Sequence, residues 1–175
     1  MKKIILITAL LAISGACSGG HHEQGHRQHS SYAGQEKRQI KALADEDVAA
    51  LTNGEGMGLA KAAELNGFPG PKHVLENAAG IALTAEQKIE VQKLFDTMKA
   101  RAVALGRQIV EGEKELDALF REGRVDEPAL EEKTRAIAAL QGDLRRAHLA
   151  AHLEMKKLLS PEQIEKYNRL RGYRN

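Results

Sequence analysis

The sequence predicts an all-α fold: a long antiparallel helical hairpin, short flanking helices and a disordered N-terminal tether. Three observations lead to this prediction. Charged residues make up 29% of the 175 residues and aromatic residues only 3%, a mixture typical of long helices with solvent-exposed faces. Apolar residues recur at steps of three and four over two long stretches, without strand-like alternation. A five-residue motif with the chemistry of a helix start occurs twice.

The first long helix is predicted from Thr84 to Arg121. Its apolar residues recur every three or four positions, which places them on one side of a helix. Gly106 and Gly112 should weaken this helix locally. Its length would be about 57 Å at a rise of 1.5 Å per residue. The apolar stripe consists of Val91, Leu94, Phe95, Met98, Ala102, Leu105, Ile109, Leu116, Leu119 and Phe120.

The second long helix should follow a turn at residues 122–126, in which Asp126 is a suitable N-cap and Pro128 suits the first helical turn. Because so short a turn joins the two helices, they should be antiparallel neighbours. A last short helix is predicted over residues 163–170. The second apolar stripe consists of Leu130, Ile137, Leu140, Leu144, His148, Ala151, Met155 and Leu158.

Residues 36–80 precede the hairpin and should contain short helices near residues 36–52, 59–65 and 73–79. A glycine-rich break at residues 54–58 and the turn sequence Phe68-Pro69-Gly70-Pro71 separate these helices. The glycines do not form a nucleotide-binding loop, because no strand precedes them and no Lys-Ser/Thr follows them. We therefore divide the chain into four segments. Residues 1–16 and 17–35 are the two N-terminal segments, residues 36–80 contain the short helices, and residues 81–175 form the hairpin domain.

Residues 1–16 have the pattern of a secretory signal peptide. Lys2 and Lys3 precede an apolar run at residues 4–13, and small residues follow. We expect export to a bacterial periplasm. Cys17, the one cysteine, stands where a bacterial lipobox has its lipidated residue, although Ser14 replaces the usual Leu, Val or Ile. Lipidation would anchor the protein, with Ser18 favouring the outer membrane. The alternative is an unmodified soluble periplasmic protein.

Residues 17–35 are rich in Gly, His, Gln and Ser, and they lack the apolar residues needed for a core. We interpret them as a disordered tether. Clustered histidines can bind Ni, Cu or Zn, or they can simply belong to a solvated spacer. The tether contains His21, His22, His26 and His29.

Charge and residue patterns exclude several classes of function. The formal net charge is +2, and without Lys2 and Lys3 the chain has 24 basic and 24 acidic residues. The sequence therefore gives no reason to expect nucleic-acid binding, which needs a concentrated basic face. We do not expect an enzyme, because no Ser-His-Asp order stands out and the carboxylates are scattered.

The repeated motif reads Leu83-Thr84-Ala85-Glu86-Gln87 in its first copy and Leu159-Ser160-Pro161-Glu162-Gln163 in its second. Thr84 and Ser160 are predicted N-caps. Gln87 and Gln163 occupy the position from which a capping box closes on the N-cap backbone. Each cap should stabilise its helix by about 1 kcal/mol.

Leu83, Thr84 and Gln87, with Leu159, Ser160 and Gln163, resemble the paired Leu-Thr-x-x-Gln motifs of the Spy/CpxP family of periplasmic proteins. The resemblance covers Leu83 to about Tyr173, with Ser160 in place of Thr. It implies a helical hairpin that often forms a cradle-shaped homodimer. The family includes ATP-independent chaperones, regulators of membrane stress sensors and the related CnrX/ZraP-type metal-responsive proteins.

His148 and His152 are the sharpest candidates for metal ligands, because residues at i and i+4 lie on one side of a helix. Met155 lies one turn further along, and counting back from the turn places Met98 opposite His152. Such a group would suit copper. Alternatively, His148 packs as an interior residue and the methionines fill the core. CnrX-type sensors use HxxxH and HxxxM arrangements with an added carboxylate, whereas Met155 is only three residues from His152.

Chaperone-like binding of unfolded clients is the function that the resemblance favours most, and it requires no cofactor. The alternatives are a periplasmic Cu, Zn or Ni sensor or resistance protein, and a regulator that binds a membrane stress sensor. Basic side chains beside apolar ones could hold clients, or they could be solvated partners of glutamates. These candidates are Arg101, Arg107, Arg135, Arg145 and Arg146.

Overall fold

The computed structural model describes residues 30–173, of which residues 34–173 belong to one compact unit. Every regular element in this range is helical, which confirms the all-α class. The predicted signal peptide, Cys17 and the four tether histidines lie outside the described residues. After a 3₁₀ turn at Gln35–Lys37 come six helices: α1 Asp45–Thr52, α2 Lys61–Glu64, α3 Pro71–Glu76, α4 Ala85–Arg121, α5 Glu127–Leu158 and α6 Pro161–Leu170.

The long helices α4 and α5 pack against each other along the hairpin that the periodicity predicts. Both motif copies form capping boxes. Thr84 Oγ1 accepts from the Gln87 backbone N–H at 3.1 Å, and Gln87 Oε1 accepts from the Thr84 N–H at 3.1 Å. Ser160 and Gln163 repeat the arrangement at 3.2 and 3.0 Å. Asp126 caps α5 by accepting from the Ala129 N–H. Local cap chemistry therefore defines where α4, α5 and α6 begin.

The short helices cover the hairpin: α1 and α3 pack against α4, and α2 and α3 pack against α5. Two apolar clusters result. The cluster that includes α1 consists of Leu51, Ala102, Leu105, Ile109, Leu144 and Ala147. The cluster that includes α3 and α6 consists of Val74, Ile81, Val91, Met155, Leu159 and Tyr167. Residues 36–80 thus complete the core, because the two long helices alone leave part of their apolar surface uncovered.

The short helices are shorter than the sequence predicts. α1 begins at Asp45 instead of near residue 36, because the Asp47 carboxylate accepts from the Ala44 N–H and three acidic residues occupy the first turn. Carboxylates in that position favour a helix start. α2 occupies only Lys61–Glu64 of the predicted 59–65.

Two residues of α4 differ from their predicted roles. Phe120 belongs to the predicted apolar stripe, yet it is 58% exposed near the hairpin turn. Gly106 does more than weaken the helix: α1 approaches it so closely that a Cβ there would lie 1.9 Å from the Leu51 carbonyl oxygen. The absence of a side chain at Gly106 is what allows α1 to dock.

Across residues 30–173, none of the helices has the length and apolar character needed to cross a lipid bilayer.

Candidate metal-binding cavity

An open cavity of about 680 Å³ lies between α4 and α5 on one side and residues 54–73 on the other. α5 contributes His148 and His152 to its lining, and α4 contributes Met98. The caps at Asp126 and Thr84 set the starts of these two helices, and uninterrupted helical periodicity then places the three side chains. Met98 and His152, which counting from the turn places opposite each other, both line this cavity.

His148 is only 4% exposed, and its Nε2 atom is buried without a hydrogen-bond partner in the described part of the chain. Burial lowers the pKa of this imidazole, and the nearby His152 and the charge of Lys99 lower it further. A buried polar atom without a partner costs about 1–3 kcal/mol. Burial therefore favours the neutral form of the ring, and its unpartnered Nε2 atom makes His148 a candidate ligand.

His152 is 8% exposed and is held in a fixed orientation. Its Nδ1 atom lies 2.7 Å from the Phe68 carbonyl oxygen, which can only accept, so Nδ1 carries the proton. In the neutral ring this leaves the lone pair on Nε2. Metal-binding histidines commonly donate their other ring N–H to a backbone carbonyl in this way.

Gly70 leaves room beside His152. A Cβ on Gly70 would lie 2.9 Å from Nε2 and from Cε1 of His152, closer than side chains pack. The Gly70 backbone is extended, with φ −90° and ψ 145°, so alanine could adopt the same backbone conformation. The glycine therefore keeps the space at Nε2 clear without being required by its own dihedral angles.

Glu64 anchors the side of the cavity opposite the hairpin. Its Oε1 atom accepts hydrogen bonds from the hydroxyl groups of Tyr167 and Tyr173, the latter at 3.1 Å. Its Oε2 accepts from the Gly70 N–H at 3.1 Å and lies 3.6 Å from His152 Nδ1. Burial and the bond to Glu64 raise the pKa of Tyr167, so its hydroxyl stays protonated and donates. Glu64 thus ties α2 to α5 and α6.

The other predicted site residues are placed differently. Met155 is fully buried in the apolar cluster with Val91 and Tyr167, and it does not line the cavity. No group of three His, Cys, Asp or Glu side chains within residues 30–173 could hold a metal ion. Of the predicted ligands within this range, His148, His152 and Met98 line the cavity.

The arginines proposed for client binding divide into two groups. Arg135 is paired with Glu131 at 2.6 Å and Arg146 with Asp143 at 3.4 Å. The remaining three are exposed, and no carboxylate within residues 30–173 pairs with them; they are Arg101, Arg107 and Arg145.

Sequence reasoning missed Glu64, Lys99 and Arg171, which help to line the cavity. Lys99 follows Met98 directly, and this adjacency was a signal that a charge would stand beside the predicted ligand. For Glu64 no local signal exists, because its hydrogen-bond partners Tyr167 and Tyr173 lie 103 and 109 residues further along the chain.

Residues 53–166 match the model of a protein family described as heavy-metal resistance. The match starts before the first Leu-Thr-x-x-Gln motif, so it includes α2 and α3 as well as the whole α4–α5 hairpin, with His148 and His152. Searches of the curated proteins and of the solved structures gave no match. The family contains the CnrX-, ZraP- and Spy-like proteins that the repeated motif resembles, and its description names resistance to metals and no reaction. The chain belongs to the heavy-metal resistance family.

Proposed function

We propose that this protein acts in heavy-metal resistance by binding copper through His148, His152 and Met98. The observation that carries the proposal is the buried Nε2 atom of His148, which has no hydrogen-bond partner among the described residues and belongs to a side chain of the same cavity lining as His152 and Met98. A bound metal ion would give this atom the partner it lacks.

The chemistry of the donor set fits copper. Imidazole nitrogen binds copper, zinc and nickel, and thioether sulfur favours Cu(I) among these metals. The Phe68 carbonyl orients His152 with its Nε2 lone pair available, and Gly70 leaves space at that atom. These contacts support His152 as a ligand.

The affinity for Cu(I) can be measured by competition with a chromophoric chelator, without oxygen and in thiol-free buffer. The full chain is used with the four tether histidines changed to Gln and Cys17→Ser, so that the cavity alone is measured. We expect one Cu(I) per chain, with affinity reduced at least ten-fold by His148→Gln, by Met98→Leu and by Gly70→Ala.

His73→Gln is the matched control, because His73 lines the same cavity but is paired with Glu76 at 2.8 Å. The affinity of the His73→Gln chain for Cu(I) should equal that of the parent chain. Equal affinity in the parent and in all three site variants would refute the cavity as the copper site, as would loss of binding in His73→Gln alone.

Holding unfolded clients is a second candidate function, favoured by large apolar side chains on the surface of the long helices. Ile89 and Leu153 are 58% and 53% exposed. Exposed apolar groups can bind unfolded chains. The full chain should then slow the aggregation of a reduced model client at near-stoichiometric ratios, and Ile89→Lys with Leu153→Lys should weaken that effect. No slowing by the parent would exclude this candidate.

The periplasmic location, the lipid on Cys17 and a homodimer are further parts of the proposal, and they rest on the leader sequence and the family resemblance. Mass spectrometry of the mature N-terminus tests the lipid, and sedimentation analysis tests the dimer. An unmodified Cys17 would exclude lipidation, and a monomer at all concentrations would exclude the dimer.

A further inference from the structure

The cavity is much larger than a single metal ion requires. Its volume of about 680 Å³ is in the range of small-molecule sites, and Phe95, Met57 and Leu65 contribute apolar surface to it. Met57 adopts a left-handed backbone conformation, with φ 45°, in the loop that forms part of the wall. This part of the cavity wall therefore stores some backbone strain.

The cavity also carries an excess of positive charge, which does not suit a bare cation. Lys61, Lys72 and Lys99 line it, and none of them is ion-paired within the described range. The carboxylate of Glu64 is already engaged by Tyr173, by the Gly70 N–H and, at 3.8 Å, by Arg171. Glu55 is thus the one other carboxylate in the lining that can offset the three lysines.

The donor set is also incomplete. His148, His152 and Met98 are neutral ligands, and no Cys, Asp or Glu forms a metal-binding group with them in residues 30–173. Cu(I) bound by these three residues would keep its positive charge beside the lysines. A thiolate is the soft anionic ligand that Cu(I) prefers. Coordination of a thiolate would neutralise the metal centre.

We infer that the cavity binds Cu(I) together with a small organic thiol that also carries a carboxylate. The thiol sulfur coordinates the metal and releases its proton to solvent, and the carboxylate faces Lys61, Lys72 and Lys99. No electron transfer is involved. The inference rests on the proposed copper function, and it names the co-ligand that the site takes with the metal.

Two thiols of nearly equal length and opposite charge test it: 3-mercaptopropionate and cysteamine. The full chain, with tether histidines changed to Gln and Cys17→Ser, is loaded with one equivalent of Cu(I) and dialysed against each radiolabelled thiol without oxygen. We expect about one 3-mercaptopropionate retained per copper, and at least ten-fold weaker retention of cysteamine.

The preference for 3-mercaptopropionate over cysteamine should disappear when Lys61, Lys72 and Lys99 are all changed to Gln. A control chain of equal net charge carries Lys37→Gln, Lys88→Gln and Lys166→Gln, and it should keep the preference. These three lysines lie outside the cavity lining.

The outcomes separate the two proposals. Copper bound with equal retention of both thiols, or with no thiol retained, would overturn the inference and leave the copper function standing. A preference that survives in the cavity-lysine variant would also overturn it. A chain that binds no copper, with or without either thiol, would overturn both.

Discussion

The side-chain amides of Gln87 and Gln163 hydrogen-bond each other in both directions. Gln87 Nε2 donates to Gln163 Oε1 at 2.9 Å, and Gln163 Nε2 donates to Gln87 Oε1 at 2.8 Å. Gln87 Nε2 also donates to the Leu158 carbonyl at 2.8 Å, and Gln163 Nε2 to the Ala82 carbonyl at 3.2 Å. The two copies of the motif thus cap α4 and α6 and also join the two helix starts. The two copies therefore act together as well as at their own helices.

Removing either glutamine should cost more than one helix cap. Gln87→Ala and Gln163→Ala each remove a capping bond and leave the other amide without its partner, so we expect each to lower the unfolding free energy by about 1–3 kcal/mol. Urea unfolding measures this loss. Because the residues are in contact, the double variant should show a coupling energy of about 0.5–2 kcal/mol. Gln108→Ala, which loses only a bond to its own helix, is the control; strictly additive losses would contradict a direct pairing.

Alanine at Gly106 and at Gly142 should have opposite effects, although both glycines lie inside long helices. At Gly106 the new Cβ meets the Leu51 carbonyl, so α1 must move and we expect a loss of about 1–3 kcal/mol or more. At Gly142 no atom lies within 4 Å of the new Cβ, so we expect a gain of about 0.5–1 kcal/mol from helix propensity. Thermal unfolding of both variants checks the signs. Stabilisation by Gly106→Ala would mean that α1 does not dock there.

Glu64→Gln should loosen the attachment of α2 to the end of the chain. The change removes the charge that the two tyrosine hydroxyls and Arg171 face, and charge-assisted hydrogen bonds of this kind contribute about 1.5–3 kcal/mol each. We expect faster hydrogen exchange in residues 61–70 and in α6, together with lower stability. Glu55→Gln, an exposed carboxylate on the same cavity, should change neither. Unchanged exchange in Glu64→Gln would show that the carboxylate is not an anchor.

Acid should destabilise the fold partly through His148. Its pKa in the folded chain is below the ordinary value of 6.5, because burial, His152 and Lys99 all disfavour the charged ring. Below pH 6.5 the unfolded chain therefore binds more protons at this position, and the unfolding free energy falls as the pH decreases. His148→Gln should flatten this dependence between pH 7.5 and 5.5, as measured by urea midpoints. Equal slopes for the two chains would contradict the lowered pKa.

The sequence predicts those parts of the fold that depend on local rules. Helix periodicity and cap residues locate α4, α5 and α6, because Thr84, Asp126 and Ser160 act on backbone groups within three residues. The same regularity places Met98 and His152 at one cavity. The sequence does not predict the anchoring of Glu64 or the docking of Leu51 at Gly106, because these contacts join distant segments without a local signature. Met155 shows the same limit: helical spacing put it near His152, but α3 and α6 enclose it in the apolar core.

X-ray absorption spectroscopy of the Cu(I)-loaded chain tests the copper site most directly. The full chain with tether histidines changed to Gln and Cys17→Ser is measured in thiol-free buffer, beside its Met98→Leu and His148→Gln variants. We predict a coordination shell of two imidazole nitrogens and one sulfur, with the sulfur lost in Met98→Leu and one imidazole lost in His148→Gln. A shell of light atoms without sulfur, unchanged in both variants, would contradict copper binding by His148, His152 and Met98.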